Sequence, residues 1–90
     1  MSLGWKLADI APRMGNLVGA GAGVIRGVTT DSRAVADGDL FVAIAGESFD
    51  GHDFIEQAAQ AGAVGVVAAT GRTGVEPRIE VAETGDALLE

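Results

Sequence analysis

The chain has no cysteine and no tyrosine, and it has a single histidine, a single lysine and a single tryptophan. The absence of cysteine excludes a disulfide scaffold, a thiolate metal site and a cysteine nucleophile, and one histidine cannot form a histidine-rich metal site. No apolar run reaches the roughly 18 residues that a membrane span needs, and the N-terminus lacks the apolar region of a signal peptide. We therefore expect a soluble, cytoplasmic protein.

Basic residues are also scarce, with 6 Lys and Arg against 13 Asp and Glu and a net charge of −7. This balance argues against nucleic acid or an anionic membrane as the main partner. The length of 90 residues is room for one domain. A complete ligase, kinase or dehydrogenase does not fit, and no G-x-x-x-x-G-K-[ST] phosphate-binding loop occurs.

The central part of the chain is the best specified. Residues 40–44 and 63–69 are apolar runs typical of strands buried on both faces. Between them, Asp50 has the position of a helix N-cap, and Gly62 that of the residue following the helix. We expect a parallel strand–helix–strand unit here. Two further features are predicted at the N-terminus of this helix. They are a variant capping box of Asp50 with Asp53 and a hydrophobic staple of Phe49 with Phe54.

The flanking segments complete an α/β fold, a single small domain in which a mixed β-sheet contains the parallel unit and carries flanking helices. A short helix is predicted from Trp5, ending near Ala11 because Pro12 follows. Residues 15–19 and 24–30 are predicted as two strands paired as a hairpin or as neighbours. The remaining elements are a strand at 78–81 and a helix beginning near Thr84. Because that helix would stop at Glu90, we expect the chain to be a fragment cut near a domain boundary.

Two loops are the candidate ligand-binding segments, since ligands of open α/β sheets bind beyond the carboxyl ends of the parallel strands. For Asp31-Ser32-Arg33, spacing alone favours an ordinary turn, and the alternative is that Ser32 and Arg33 hydrogen-bond a phosphorylated ligand. Residues 46–53 enter a helix whose free N–H groups suit an anion. His52 is expected to be exposed or bonded locally. The run Gly19–Gly23 is expected to be a plain turn.

Three ordered segments carry a family resemblance: residues 27–33 (GVTTDSR), 37–44 (DGDLFVAI) and 46–55 (GESFDGHDFI). Together they strongly resemble the N-terminal domain of the Mur ligases of peptidoglycan synthesis, and nearly the whole chain is covered. The wording is most similar to the MurF type, which adds D-alanyl-D-alanine to UDP-N-acetylmuramoyl-tripeptide. The MurE type, which adds the third peptide residue, is the alternative.

The resemblance implies that this domain holds the UDP end of a UDP-N-acetylmuramoyl-peptide. Ser32 matches the family's hydroxyl-bearing position after the aspartate, and Glu47, Ser48 and Phe49 match the loop that contacts the uridine diphosphate portion. Arg33 is added to these as a further expected UDP contact. Catalytic residues, metal ligands and a cofactor are not expected in this segment. ATP and Mg²⁺ are expected in a central domain of the parent ligase, which with a C-terminal domain would be this chain's protein partner.

Two functions of other classes remain open at this point. One is a free-standing binding or adaptor module without catalysis. The other is a small hydrolase that uses His52 and a carboxylate, although no nucleophile–base–orienter set can be found in the sequence. The segment alone is expected to have no ligase activity.

Overall fold

The structure is a computed structural model, and it describes residues 4–44 and 50–82. Two α-helices and seven strands form within these residues, together with the 3₁₀ helices Ser32–Ala34 and Gly51–Phe54. The helices are α1 (Leu7–Met14) and α2 (Ile55–Gln60). The strands are β1 (Trp5–Lys6), β2 (Asn16–Val18), β3 (Val24–Ile25), β4 (Gly27–Thr29), β5 (Asp39–Val42), β6 (Gly65–Ala69) and β7 (Arg78–Val81).

Five strands form the main sheet in the order β2-β7-β6-β5-β4. The pairs β4–β5, β5–β6 and β6–β7 are parallel, and β2 runs antiparallel to β7. β1 and β3 form a separate antiparallel pair. The mixed sheet and the parallel unit β5–α2–β6 confirm the predicted fold class, and the strand at 78–81 is also confirmed.

The two faces of the sheet are covered by different layers, because successive strand residues point to opposite faces. On one face, α1 and β3 pack over alternate residues of β5, β6 and β7. This cluster consists of Leu7, Ala11, Ile25, Leu40, Val42, Val67, Ile79 and Val81. On the other face, α2 packs over the remaining residues of β5 and β6. That second cluster consists of Phe41, Ala43, Ile55, Ala58, Val66 and Ala68.

The predicted pairing of residues 15–19 with residues 24–30 is wrong. β2 pairs with β7 instead, and residues 24–30 divide at Arg26 into β3 and β4, which belong to different sheets. The backbone N–H of Arg26 donates to the carbonyl of Gly38 rather than to a strand. The β-branched composition of the segment indicated strand correctly, but composition carries no information about partners.

The predicted first helix is also corrected. Its first two predicted residues form β1, and α1 then continues past Pro12 to Met14. Pro12 lies near the C-terminal end, where it removes the bond to the Ala8 carbonyl, and both residues are exposed. Water can therefore replace the lost partner. At the other end of α1, the N–H groups of Leu7 and Ala8 donate to carbonyls of the glycine-rich run.

That run, Gly19–Gly23, thus accepts hydrogen bonds from the first N–H groups of α1. A side chain at Gly21 would come within 2.7 Å of the Ala8 Cβ, and one at Gly23 within 2.3 Å of a Val64 methyl. Glycine is needed because the backbone approaches its neighbours closely.

The helical segment begins with Asp50 as its cap and ends at Gly62, as predicted, but its first turn is a 3₁₀ helix. The predicted capping box of Asp50 with Asp53 is not formed, because the carboxylate of Asp50 accepts the N–H of His52 and the side chain of Asp53 does not bond back to Asp50. The N–H of Asp53 donates to the carbonyl of Asp50, three residues back, which is the tighter 3₁₀ pattern often found at helix N-termini. Gly62 has φ +113°, and the N–H groups of Gly62 and Ala63 donate to the carbonyls of Ala59 and Ala58. This is the Schellman motif.

Three sequence predictions lie outside the described residues: the staple through Phe49, the loop around Ser48 and the helix from Thr84. Among the helices that the structure describes, none has the length and apolar character required to cross a membrane.

Candidate functional site

The carboxyl ends of β4, β5 and β6 lie along one edge of the sheet, because the three strands are parallel neighbours. The segment after β4 borders a cleft of about 520 Å³. We call this the serine cleft. Its lining residues come from that segment and from the first part of the helical region opposite: Thr30, Asp31, Ser32, Arg33, Phe54 and Gln57.

Asp31 organises the wall of the serine cleft. Its carboxylate accepts the backbone N–H of Arg33 at 2.9 Å, which caps the 3₁₀ helix that follows β4. The same carboxylate pairs with the Arg33 guanidinium, Nε to Oδ1, at 3.2 Å. The hydroxyl of Thr29 accepts the N–H of Asp31 at 3.1 Å. The Arg33 side chain is 84% exposed, so it points into solvent beside the cleft.

Ser32 lies between these two charged residues and is only 7% exposed. Within residues 4–44 and 50–82, its hydroxyl has no hydrogen-bond partner, although Ser32 lines the cleft. A buried hydroxyl normally finds a partner, because leaving it unbonded costs free energy. Ser32 therefore presents to the cleft a hydrogen-bond donor and acceptor that none of the described residues uses.

The loops after β5 and β6 are joined by a second group of residues, which we call the histidine bridge: Asp50, His52, Ala69 and Arg72. Nδ1 of His52 lies 2.6 Å from Oδ1 of Asp50. Nε2 of His52 accepts the backbone N–H of Ala69 at 3.0 Å. The guanidinium of Arg72 donates to Oδ2 of Asp50 at 2.5 Å. The His52 side chain is 2% exposed.

The histidine bridge changes one expectation about the site. The free N–H groups predicted to receive an anion at the helix start are already bonded inside the protein. Gly51 donates to the carbonyl of Ile44 and Asp53 to that of Asp50, while His52 donates to the carboxylate of Asp50. A carboxylate of the protein thus occupies the N-terminus of the first turn, and the prediction of an anion site there is wrong.

The electrostatics of the two aspartates follow from these contacts. The pKa of Asp50 lies far below its ordinary value, chiefly because Arg72 donates to the carboxylate and further because the backbone and ring of His52 do so. The pKa of Asp31 is also lowered, first by the side chain of Arg33 and then by its backbone N–H. The pKa of Arg33 is raised by the same pair. Both aspartates are therefore held as carboxylates.

Of the predicted UDP-contacting residues, the structure brings Ser32 and Arg33 to the serine cleft. Glu47, Ser48 and Phe49 lie outside the described residues, in the segment that connects Ile44 at the end of β5 to Asp50. His52 is bonded locally, as expected, but it is buried and also bonds to β6. Both of its ring nitrogens are occupied, which leaves neither free to act as a base toward a substrate.

Arg72 is the residue that the sequence analysis missed. It follows β6 in the segment Thr70-Gly71-Arg72, and the rule that directs attention to the carboxyl ends of parallel strands applies to this loop as well. A guanidinium three residues beyond a buried strand was the available signal. For metals, no three His, Asp or Glu side chains in the described part of the chain lie close enough together to hold an ion.

A doubly covered, mostly parallel sheet with polar loops at its carboxyl edge defines an α/β domain, and comparison with known proteins places it in a family. The profile described as Mur ligase family, catalytic domain, matches residues 24–86. The chain therefore belongs to the Mur ligase family, which confirms the resemblance found in the three sequence segments.

Two types of ligase are found among the similar proteins. A UDP-N-acetylmuramoyl-tripeptide–D-alanyl-D-alanine ligase of Synechocystis is 58% identical over 43 residues, covering 48% of this chain and 10% of the ligase. A UDP-N-acetylmuramoyl-L-alanyl-D-glutamate–2,6-diaminopimelate ligase of Chlorobaculum tepidum is 52% identical over 68 residues, covering 70% of this chain and 13% of the ligase.

Solved structures give the same family. The MurF ligase of Thermotoga maritima, determined in complex with ADP, matches with a TM-score of 0.62 and 36% identity over 70% of this chain and 15% of its own. MurF of Acinetobacter baumannii matches with a TM-score of 0.60 and 32% identity, over 72% and 14% of the two chains. The chain thus spans only a small part of the length of these relatives.

Proposed function

We propose that this chain is the substrate-recognition domain of a MurF-type ligase and that it holds the UDP end of a UDP-N-acetylmuramoyl-peptide. The observation that carries the proposal is the buried hydroxyl of Ser32, which lines a cleft at the carboxyl edge of the sheet and has no hydrogen-bond partner among the described residues. Membership of the Mur ligase family supports it.

The serine cleft suits a polar ligand of moderate size. Hydroxyls of Thr30 and Ser32 and the amide of Gln57 line it beside the ring of Phe54. These groups can both donate and accept hydrogen bonds, as a nucleoside requires. Arg33 stands at the rim, where a guanidinium can meet a diphosphate.

Three residues of the proposed site lie on the segment that leaves β5. We propose that Glu47, Ser48 and Phe49 contact the uridine diphosphate portion, on the basis of the family resemblance. Because the first-turn N–H groups of residues 51–53 are occupied, a diphosphate has to be bound by side chains and by amides of this segment. With few cationic partners and a net charge of −7, binding to the isolated chain should be weak.

The parent protein's activity is part of the same proposal. We propose an ATP-dependent, amide-bond-forming ligase of peptidoglycan synthesis, cytoplasmic, in which residues 1–90 form the first domain. ATP and Mg²⁺ belong to a central domain, and a C-terminal domain is the other intramolecular partner; the segment alone is inactive. A MurE-type parent is the second candidate, favoured by the relative from Chlorobaculum tepidum.

A titration with UDP followed by two-dimensional NMR tests the proposal. Shift changes should concentrate at Ser32 and at residues 47–49. Replacing Ser32 by Ala should weaken UDP binding about tenfold, the effect of one buried hydrogen bond, without lowering stability. The matched control is Thr73→Ala, which removes a hydroxyl from a loop that does not line the serine cleft.

The outcome also separates the classes of function. Shift changes elsewhere, or none at millimolar UDP, would favour a free-standing adaptor module. Hydrolytic turnover that is abolished by His52→Ala would instead favour the hydrolase. We do not expect it, because both ring nitrogens of His52 are already hydrogen-bonded.

A further inference from the structure

The serine cleft has two walls of different chemistry. One is the segment that follows β4, which carries the hydroxyl of Ser32 and the guanidinium of Arg33. The other consists of Phe54, the last residue of the 3₁₀ helix that starts at Gly51, and of Gln57 in α2. We call this pair the helix wall. Residues three apart lie on the same side of a helix, so a ligand that enters the cleft meets both side chains.

Phe54 gives the helix wall a firmly held apolar surface. Its side chain is half-buried and packs against the second cluster, between α2 and the sheet. The helix beneath it is anchored by Ile55 and Ala58, which are both buried. Among the described residues that line the serine cleft, Phe54 is the only aromatic one. Since every nucleobase has a flat π face that stacks on aromatic side chains, the face of a base fits against Phe54.

Gln57 adds a carboxamide to the same wall. Gln57 is exposed, and within residues 4–44 and 50–82 its side chain has no hydrogen-bond partner. A carboxamide places an acceptor oxygen next to donor N–H groups. Uracil places its N3–H donor next to the O4 acceptor, so the two groups can form a pair of parallel hydrogen bonds, as glutamine does with adenine. The helix wall can therefore bind both the face and the edge of a uracil base.

Arg33 marks the rim of the cleft. Its side chain is 84% exposed, and its Nε pairs with Oδ1 of Asp31 at 3.2 Å. Nη2 donates to the same carboxylate at 3.4 Å, and Nη1 has no partner among the described residues. A guanidinium is well suited to a phosphate, and an exposed position lets the other phosphate oxygens stay hydrated. The diphosphate therefore fits beside Arg33, and the base fits beside the helix wall.

We propose that Phe54 and Gln57 bind the uracil base of the ligand: the base stacks against Phe54 and pairs through N3–H and O4 with the carboxamide of Gln57, while the diphosphate lies beside Arg33. This inference rests on the proposed function, because it takes the ligand of the serine cleft to be UDP. Two contact residues and the orientation of the ligand are thereby added to that function.

Uridine and UDP together distinguish the two ends of the ligand. Gln57→Ala should weaken the binding of both by the same factor, about tenfold, because it removes a contact to the base that both ligands carry. Arg33→Ala should weaken the binding of UDP alone, because uridine has no phosphate. Two-dimensional NMR titrations of the 90-residue chain give the dissociation constants. If Gln57→Ala leaves the affinity for uridine unchanged while the chain binds UDP, the assignment of Gln57 is wrong and the proposed function stands.

A modified ligand tests which atom of the base faces Gln57. In 3-methyluridine 5′-diphosphate a methyl group replaces the N3 proton, so this ligand should bind the unchanged chain about tenfold more weakly than UDP does. In Gln57→Ala the two ligands should bind alike, because neither can form the bond at N3. A methyl group that weakens binding equally in both chains would mean that N3 does not face Gln57.

The matched control is Gln60→Ala, which removes the same side chain from the last turn of α2, where it does not line the serine cleft. Both glutamines are exposed, and alanine has the higher helix propensity, so both variants should fold. The affinity of Gln60→Ala for UDP should equal that of the unchanged chain. A tenfold loss in this control as well would show that the effect of Gln57→Ala comes from the helix and not from a contact.

Phe54 is tested on the unchanged chain, since its half-buried ring also contributes to packing. Nuclear Overhauser effects should connect the H5 and H6 protons of uracil to the ring protons of Phe54. If UDP binds and these effects are absent, the stacking contact is wrong. Failure of the unchanged chain to bind UDP at all removes the proposed function and this inference with it.

Discussion

Asp31 and Asp50 have the same local role at the carboxyl edge of the sheet, Asp31 in the serine cleft and Asp50 in the histidine bridge. Each caps a 3₁₀ helix by accepting the N–H two residues ahead at 2.9 Å. Each also pairs with an arginine. Asp31 pairs with Arg33, its near neighbour in sequence, whereas Asp50 pairs with Arg72, 22 residues away, and with a buried histidine ring.

The difference shows that the same aspartate cap can have two structural roles. In the serine cleft, the bonds of Asp31 are local and its partner is exposed, so the segment is shaped without being tied to the rest of the sheet. The buried hydroxyl of Ser32 has no hydrogen-bond partner in the part of the chain that the structure describes. In the histidine bridge, bonds across the sequence connect successive strands, and the ring nitrogens are used up. The serine cleft presents polar groups, whereas the histidine bridge fixes the position of the chain.

The largest expected effect comes from replacing each aspartate by alanine. Asp50→Ala removes a cap, a buried ring's partner and the pair with Arg72, and we expect a loss of about 2–4 kcal/mol in the free energy of unfolding. Asp31→Ala should lose clearly less, because its bonds are local and solvent-exposed. Urea denaturation of both variants measures the difference. Equal losses would mean that the bonds of Asp50 to Arg72 and to the ring of His52 add no stability beyond that of the cap.

The residue after each aspartate provides a second comparison, Ser32 after Asp31 and Gly51 after Asp50. A Cβ at Gly51 would stand 2.8 Å from the nitrogen of Ile44 and 3.1 Å from Cα of Ala43. Because these are backbone atoms, Gly51→Ala should lower stability by about 1–3 kcal/mol.

Its control is Ser32→Ala, which keeps a Cβ that the serine cleft already accommodates and should leave the unfolding midpoint nearly unchanged. If Gly51→Ala were as stable as the unchanged chain, the close approach at the base of this segment would be wrong.

The sequence predicted local features of this fold better than long-range ones. The cap at Asp50 and the stop at Gly62 were predictable because each depends on a few adjacent residues. The parallel unit was predictable because residues 40–44 and 63–69 are apolar on both faces. The division of residues 24–30 at Arg26 was not, since a strand pattern does not identify its partner.

The candidate site divides in the same way. Ser32 and Arg33 could be placed at the carboxyl edge of the sheet from the sequence alone, because they directly follow a predicted strand. The burial of His52 could not, because it depends on the N–H of Ala69, which only the β5–β6 pairing brings near. The first-turn N–H groups of residues 51–53 donate to Ile44 and Asp50. The anion site predicted at these N–H groups was therefore wrong, because the contact with Ile44 depends on the tertiary structure.

Acid provides the smallest effect and compares the two aspartates without a change of shape. The folded-state pKa of Asp50 lies below its unfolded value, so the stabilisation is complete above the unfolded pKa of about 3.9 and is lost as the pH falls toward the folded value. Between pH 7 and pH 4 its share of the loss is only about 0.3 kcal/mol, and it grows at lower pH. Asp50→Asn should therefore flatten the dependence of the unfolding midpoint on pH below about 4. Asp31→Asn has the same sign through its pair with Arg33, but it should flatten the curve less, and a reversed order would place the stronger carboxylate interaction in the serine cleft.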